Sequence, residues 1–210
     1  MITYETIAVG MLQSNSYVLR DGSTGVLALV DCGAWNKSVR DAIARQGGNL
    51  CLILLTHGHF DHIQGAKAAR EANPGAQIAI SHGDAPYLRG EIDTLPGRVS
   101  IHKSPAVPDL LLGDGDTIAL GGSVLQVIAS PGHTAGGVCF WSEPDRLLFT
   151  GDTLFREDVG RDDLPGGSWP ALEQSIRRLY ALPGDYKVLP GHGPESSLEH
   201  ERAHNQHVRN

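Results

Sequence analysis

Thr56-His57-Gly58-His59-Phe60-Asp61-His62 follows the apolar run Leu50–Leu55, and the fold of this chain is read outward from that junction. Leu50–Thr56 carries no charge and reads as a strand buried on both faces. Where it ends, four metal-ligating side chains fall within six residues, three of them imidazoles. Imidazole with carboxylate suits Zn²⁺, Fe²⁺ or Mn²⁺. His57 and His59, two apart, can point the same way at a strand end, while Asp61 and His62 can open a helix and face a second point nearby. Surface histidines packed this closely would repel on protonation and gain nothing structural. Gly58 suits a place where backbone approaches a ligand.

Three further segments have the same form, a strand and then a ligand in a turn. Pro131-Gly132-His133-Thr134 follows Val124–Ser130, Gly151-Asp152-Thr153 follows Arg146–Thr150, and Pro190-Gly191-His192-Gly193 follows Lys187–Leu189. Each alone is a common turn. Together they set one ligand at the end of each of three strands, where sites of sheet proteins gather.

The remaining strands are expected at Ile2–Val9, Ser16–Arg20, Gly25–Asp31, Gln77–Ser81, Thr117–Leu120 and Gly137–Ser142, with Asp21-Gly22 as a hairpin turn. Helices are expected at Asn36–Gln46, stopped by Gly47-Gly48, at Ile63–Glu71, and at Trp169–Leu182. Pro96, Pro105 and Pro108 make Gly90–Gly113 read as loop. Strands with helices in both halves suit two packed sheets with helices outside, an α/β arrangement in one domain spanning 1–210 with a polar, helix-prone tail over 196–210. That tail contains His200-Glu201-Arg202-Ala203-His204, which matches HExxH. It has no apolar face and reads as a solvated helix. His82 and His102 have no motif around them.

The 210 residues are 40% hydrophobic and 20% charged, enough to build a sizeable core. The formal charge of −7 and the lack of any Lys/Arg run speak against nucleic acid. Met1–Gly10 has no basic, apolar leader and no run approaches a membrane span, so a cytoplasmic protein without a membrane partner is expected. Cys32, Cys51 and Cys139, odd in number and without CxxC spacing, read as reduced thiols.

On these motifs the chain resembles the metallo-β-lactamase fold superfamily from its first strand to the Pro-Gly-His-Gly turn. The resemblance implies a four-layer αββα sandwich with the site at one edge of the paired sheets. It implies that His57, His59 and His133 hold a first metal, that Asp61, His62 and His192 hold a second, and that Asp152 bridges them. Gly151-Asp152-Thr153-Leu154-Phe155 with Gly160-Arg161-Asp162-Asp163-Leu164-Pro165-Gly166-Gly167 is similar to the short glyoxalase II-like hydrolases. An aspartate at 152 points to that thioesterase branch and away from the antibiotic-degrading one. Glyoxalase II proper continues into an extra helical domain, whereas 17 residues follow Gly193 here.

What the resemblance implies is hydrolysis of a small-molecule thioester. Two divalent ions, zinc first with iron or manganese as substitutes, lie about 3.5–4 Å apart and ionise a bridging water near neutral pH. That metal-bound hydroxide is the nucleophile, and Asp61 and Asp152 offset the cationic charge. A thiolate leaving group, its thiol pKa about 8.5, needs little help from an acid. Other readings stay open: a persulfide dioxygenase with one iron on His57, His133 and Asp152, a lactone or phosphoester hydrolase of the superfamily, and a binding module. Arg161 can pair with Asp163 or orient the site, and the oligomeric state has no signature here.

Overall fold

The computed structural model describes residues 1–93 and 104–209, so Pro96 and His102 lie outside the described residues. One sheet is built from β1 (Ile2–Val9), β2 (Ser14–Asp21), β3 (Leu27–Val30), β4 (Leu50–Leu54), β5 (Gln77–Ser81) and β6 (Leu110–Leu112), in that order. Its first three strands are antiparallel and β3 to β6 are parallel. Parallel neighbours need a crossover that carries the chain back along the sheet, usually through a helix. Between β3 and β4 that is α1 (Lys37–Gln46), and between β4 and β5 it is α2 (Phe60–Ile63) with α3 (Ala66–Ala72). The short α4 (Ala85–Leu88) follows β5.

The other sheet uses β7 (Thr117–Leu120), β8 (Ser123–Ala129), β9 (Val138–Ser142), β10 (Leu147–Gly151), β13 (Lys187–Pro190) and β14 (Ser196–Ser197), ordered β14-β13-β10-β9-β8-β7. β11 (Leu154–Phe155) and β12 (Asp158–Val159) form a separate hairpin. The parallel pair β10–β13 is crossed by α5 (Trp169–Tyr180), and α6 (Leu198–His204) follows β14.

Strand side chains alternate between faces, and here both faces are apolar. Tyr17, Leu19, Val30, Leu52 and Leu54 of the first sheet meet Phe140, Phe149 and Leu189 of the second in a shared core. The intervening residues Val18, Leu29, Ile53, Ile78 and Ile80 pack with Val39, Ala42, Ile63, Ala66 and Ala69 of the helices. On the far side Cys139, Leu148 and Val188 pack with Leu172, Ile176 and Leu179 of α5 and with Leu198. The layers are therefore helix, sheet, sheet, helix, the expected αββα sandwich.

Three expectations are corrected. Gly90–Gly113 is not all loop: Leu110–Leu112 pairs with Ala79–Ser81 as an edge strand, and Pro105 and Pro108 end just before it. The helix expected over Ile63–Glu71 is two pieces, because the Gly65 N–H turns to the Cys32 carbonyl at 2.7 Å. The C-terminal segment is not a free, fully solvated helix but is docked along one face. Leu198 and Val208 are buried in the outer core, and the buried Glu201 carboxylate accepts from Glu157 N–H at 2.8 Å and from Asn205 Nδ2 at 3.1 Å. Asn205 Nδ2 also donates to the Asp158 carbonyl at 3.1 Å, so polar side chains tie this tail to the β11–β12 hairpin.

A docked tail has a measurable signature. Leu198→Ala is expected to lower unfolding free energy by about 2–5 kcal/mol, the range for a buried leucine. His204→Ala, at an exposed position, should stay within about 0.5 kcal/mol. Equal effects of the two in denaturant melts would contradict the packing.

Candidate metal centre

Four ligand-bearing turns meet at one edge of the sandwich. The apolar β4 delivers Thr56 and His57 at its end. His59 stands at the N-cap of α2 in extended conformation, and α2 carries Asp61 and His62. From the other sheet come His133 after β8, Asp152 after β10 and His192 after β13. Hydrogen bonds across the sheets hold this edge together. Val138 N–H donates to the Thr56 carbonyl at 2.8 Å, Asn15 N–H to the Gly191 carbonyl at 2.7 Å, and Tyr17 OH to the Pro190 carbonyl at 2.6 Å. Close approach is required at Gly191, where an added Cβ would lie 2.1 Å from Asp152 Oδ1.

Six of the seven side chains singled out in the sequence come together as two groups, His57–His59–His133 and Asp61–His62–His192, and Asp31 forms a third with His57 and His62; within each the ligand atoms lie within 4.8 Å of one another. His133 Nε2 lies 2.8 Å from His59 Nδ1, and His62 Nε2 lies 3.3 Å from His192 Nε2. Asp152 stands between the groups. Its Oδ2 is 3.4 Å from His133 Nε2, 4.0 Å from His57 Nε2 and 3.6 Å from His192 Nε2, and its Oδ1 is 3.4 Å from His62 Nε2. Asp61 Oδ2 lies 3.2 Å from His192 Nε2 and 3.4 Å from His62 Nε2.

The surrounding residues fix which ring nitrogen faces inward. Asp31, at the end of β3 with φ of 54°, was not picked out in the sequence. Its carboxylate accepts from Thr56 N–H, Thr56 Oγ1 and His62 Nδ1, each at 2.8 Å. Thr56 Oγ1, its proton given to Asp31, accepts from His57 Nδ1 at 3.0 Å. His133 Nδ1 donates to the Arg161 carbonyl at 2.7 Å. The Arg161 guanidinium itself forms a two-pronged pair with Asp163 at 2.6 and 2.8 Å. No sequence pattern marks Asp31, because its partners lie 25 and 31 residues onward.

Burial pushes the His57 pKa well below its usual value and that of His59 down to about 3, aided by the neighbouring imidazoles, so both rings are neutral. At His62 burial opposes the charge, but the Asp152 and Asp31 carboxylates override it and raise the pKa well above the usual value. Burial likewise works against ionised Asp61, yet hydrogen bonds from His192 and His62 hold its carboxyl well below the usual range.

This donor set fits divalent cations. His57 Nε2 and Asp152 Oδ1 are buried and make no hydrogen bond, although groups stand 3.4–4.0 Å away. The neutral His57 and His59 each keep a buried ring nitrogen without a hydrogen-bond partner, and two carboxylates lie among the rings. Buried acceptors in this state are costly and are satisfied by a metal ion. Of the other sequence features, the HExxH histidines lie apart from the centre: His200 pairs with Glu157 at 2.8 Å and stacks with His204. Among the described residues the cysteines form no disulfide and belong to neither ligand group. No helix among those residues is long and apolar enough to cross a membrane.

Comparison with known proteins identifies the family and the fold. Residues 9–192 match the family described as the Metallo-beta-lactamase superfamily. A hydroxyacylglutathione hydrolase of Cereibacter sphaeroides is 34% identical over 189 residues, covering 90% of this chain and 66% of that protein. The crystal structure of the BLEG-1 B3 metallo-beta-lactamase superposes with a TM-score of 0.88 at 29% identity, over 99% of this chain and all of that one. The structure of TTHA1623 in a di-iron-bound form gives 0.84 at 35% identity, over 97% of this chain and all of that one.

If the groups take metal, the folded state gains stability by mass action. Zn²⁺ at about 100 times its dissociation constant is expected to add about 2.7 kcal/mol per site, read as a rise in melting temperature over chelator-treated protein. No shift with Zn²⁺, Fe²⁺ or Mn²⁺ would remove the metal centre.

Proposed function

Because the chain belongs to the Metallo-beta-lactamase superfamily of metal-dependent hydrolases, we propose that it hydrolyses a small-molecule thioester of the S-acylglutathione type at a dinuclear centre. The observation that carries the reading is Asp152, whose two oxygens lie within 3.4–4.0 Å of imidazoles from both ligand groups. A carboxylate so placed suits two ions sharing one ligand. The choice of thioester is supported by the 34% identity to a hydroxyacylglutathione hydrolase.

In this reading His57, His59 and His133 would hold one ion, Asp61, His62 and His192 the other, and Asp152 both. Bound there, divalent ions supply Lewis acidity toward a carbonyl oxygen and lower the pKa of water to about 7, making a nucleophile available at neutral pH. The protein's part is to orient the imidazoles, three of them through the outer ring nitrogen. Asp31 and Thr56 do this for His57 and His62, and the Arg161 carbonyl does it for His133. Asp61 and Asp152 offset part of the cationic charge. The departing thiolate, from a thiol of pKa about 8.5, leaves without a protein acid. Zinc, iron and manganese all suit these donors, and the di-iron form of the 35% identical TTHA1623 supports iron beside zinc. A cytoplasmic place belongs to the same proposal.

The test is hydrolysis of S-D-lactoylglutathione by metal-loaded protein, with chelator-treated protein and the cephalosporin nitrocefin beside it. Chelator-sensitive thioester turnover is expected, and His59→Ala and Asp152→Ala should each cost more than about 100-fold in kcat/KM, beyond what loss of an outer-sphere partner costs. Turnover of nitrocefin alone would replace the thioester reading with β-lactam cleavage. Full activity in either variant would overturn the ligand assignment.

A further inference from the structure

Asp84 lies in the turn between β5 and α4 and has no exposed surface. Its Oδ2 accepts from Gly58 N–H at 2.7 Å and from Thr134 Oγ1 at 2.7 Å, and its Oδ1 accepts from Gly136 N–H at 2.8 Å. Gly58 stands between His57 and His59, and Thr134 follows His133. All three hydrogen bonds of this side chain thus go to the two loops that carry the imidazoles of the first group. Of the second group, the His192 turn receives none of them, and Asp61 and His62 stand on α2, beyond the residues that Asp84 contacts.

The geometry points to Asp84 as a positioning residue for the His57–His59–His133 group, holding two loops that come from different sheets at the spacing the three imidazoles need. The carboxylate suits this because it accepts on both oxygens and donates nothing. An amide in its place would set an NH₂ against a backbone N–H on one side, and one loop would lose its anchor. The fit is tight: a Cβ added at Gly136 would lie 2.4 Å from Asp84 N and 2.6 Å from its Oδ1. The turn cannot drift from the His133 loop without breaking this contact. Tyr87 of α4 adds a second hold, its ring edge-on to His59 at 6.2 Å between centroids and its OH donating to the Pro165 carbonyl at 2.9 Å. Burying a carboxylate is costly, and here desolvation raises its pKa in spite of three donors.

The inference rests on the two-group metal centre proposed above, and its test separates the two ideas. Wild-type protein, Asp84→Asn, Thr134→Val and His59→Ala are loaded with Zn²⁺, and bound metal is counted and titrated with a competing chelator. Wild type should hold two equivalents. Asp84→Asn should keep one at wild-type affinity and weaken the other about 10–100-fold, the cost of losing an outer-sphere partner. Thr134→Val, which removes a single donor, should weaken the same equivalent by less, and it serves if Asp84→Asn does not fold. The double variant Asp84→Asn/His59→Ala should bind as His59→Ala alone does, because both act on one group. Equal weakening of both equivalents in Asp84→Asn, with a lowered melting temperature, would mean general loss of structure and would overturn the assignment. So would wild-type affinity at both sites in Asp84→Asn and Thr134→Val. Wild type that takes up no metal would remove the centre itself, and this inference with it.

Discussion

Imidazoles of two groups face a single carboxylate, that of Asp152, in a largely buried corner, and this contact is the constraint on which the rest of the molecule turns. Buried ring nitrogens without partners, as at His57 and His59, do not stay in place unaided, because burial removes the solvent that would satisfy them. Something must hold them from behind. Asp31, Thr56 and the Arg161 carbonyl do so through the outer ring nitrogens, and the hydrogen bonds of Asn15 and Tyr17 to the His192 turn close the two sheets over the edge.

The sandwich supplies the rigidity. β4 and β10, which end at the centre, are apolar on both faces, one side in the shared core and the other under helices. A ligand placed just beyond such a strand inherits its position, since sliding by one residue would exchange every buried side chain between layers. Parallel pairing of β3 to β6 and of β10 with β13 forces the crossovers, and the crossovers put the helices on the outer faces. The edge bearing the metal ligands is thereby left to turns.

What could be read in the sequence was what is local. An apolar run followed by three histidines and an aspartate announces itself, and the three single-ligand turns became convincing because each followed a strand. The apolar strands between turns and the Gly47 stop of α1 were visible for the same reason. Asp31 and Asp84 were not visible, because each is an ordinary acidic residue in a turn until the fold brings its partners to it. Leu110–Leu112 was masked by nearby prolines, although a strand that pairs on one side tolerates them just before it. The tail misled because its charge was read as exposure. Glu201 and Asn205 are buried precisely where backbone N–H and carbonyl groups of the hairpin wait for partners, a fact no residue-type pattern carries.

The uneven spread of the ligands along the chain has a further effect. His57, His59, Asp61 and His62 are neighbours in sequence and remain neighbours when the protein is unfolded, while His133, Asp152 and His192 are scattered. The denatured chain therefore keeps a short chelating segment, and metal bound there subtracts from the stabilisation of the native state. An ion captured early marks the junction of β4 and α2 before distant strands have closed their loops, which are the slow steps of such a topology. Loading the metal during folding and loading it afterwards are then different processes, and the first begins with half of the centre already in hand.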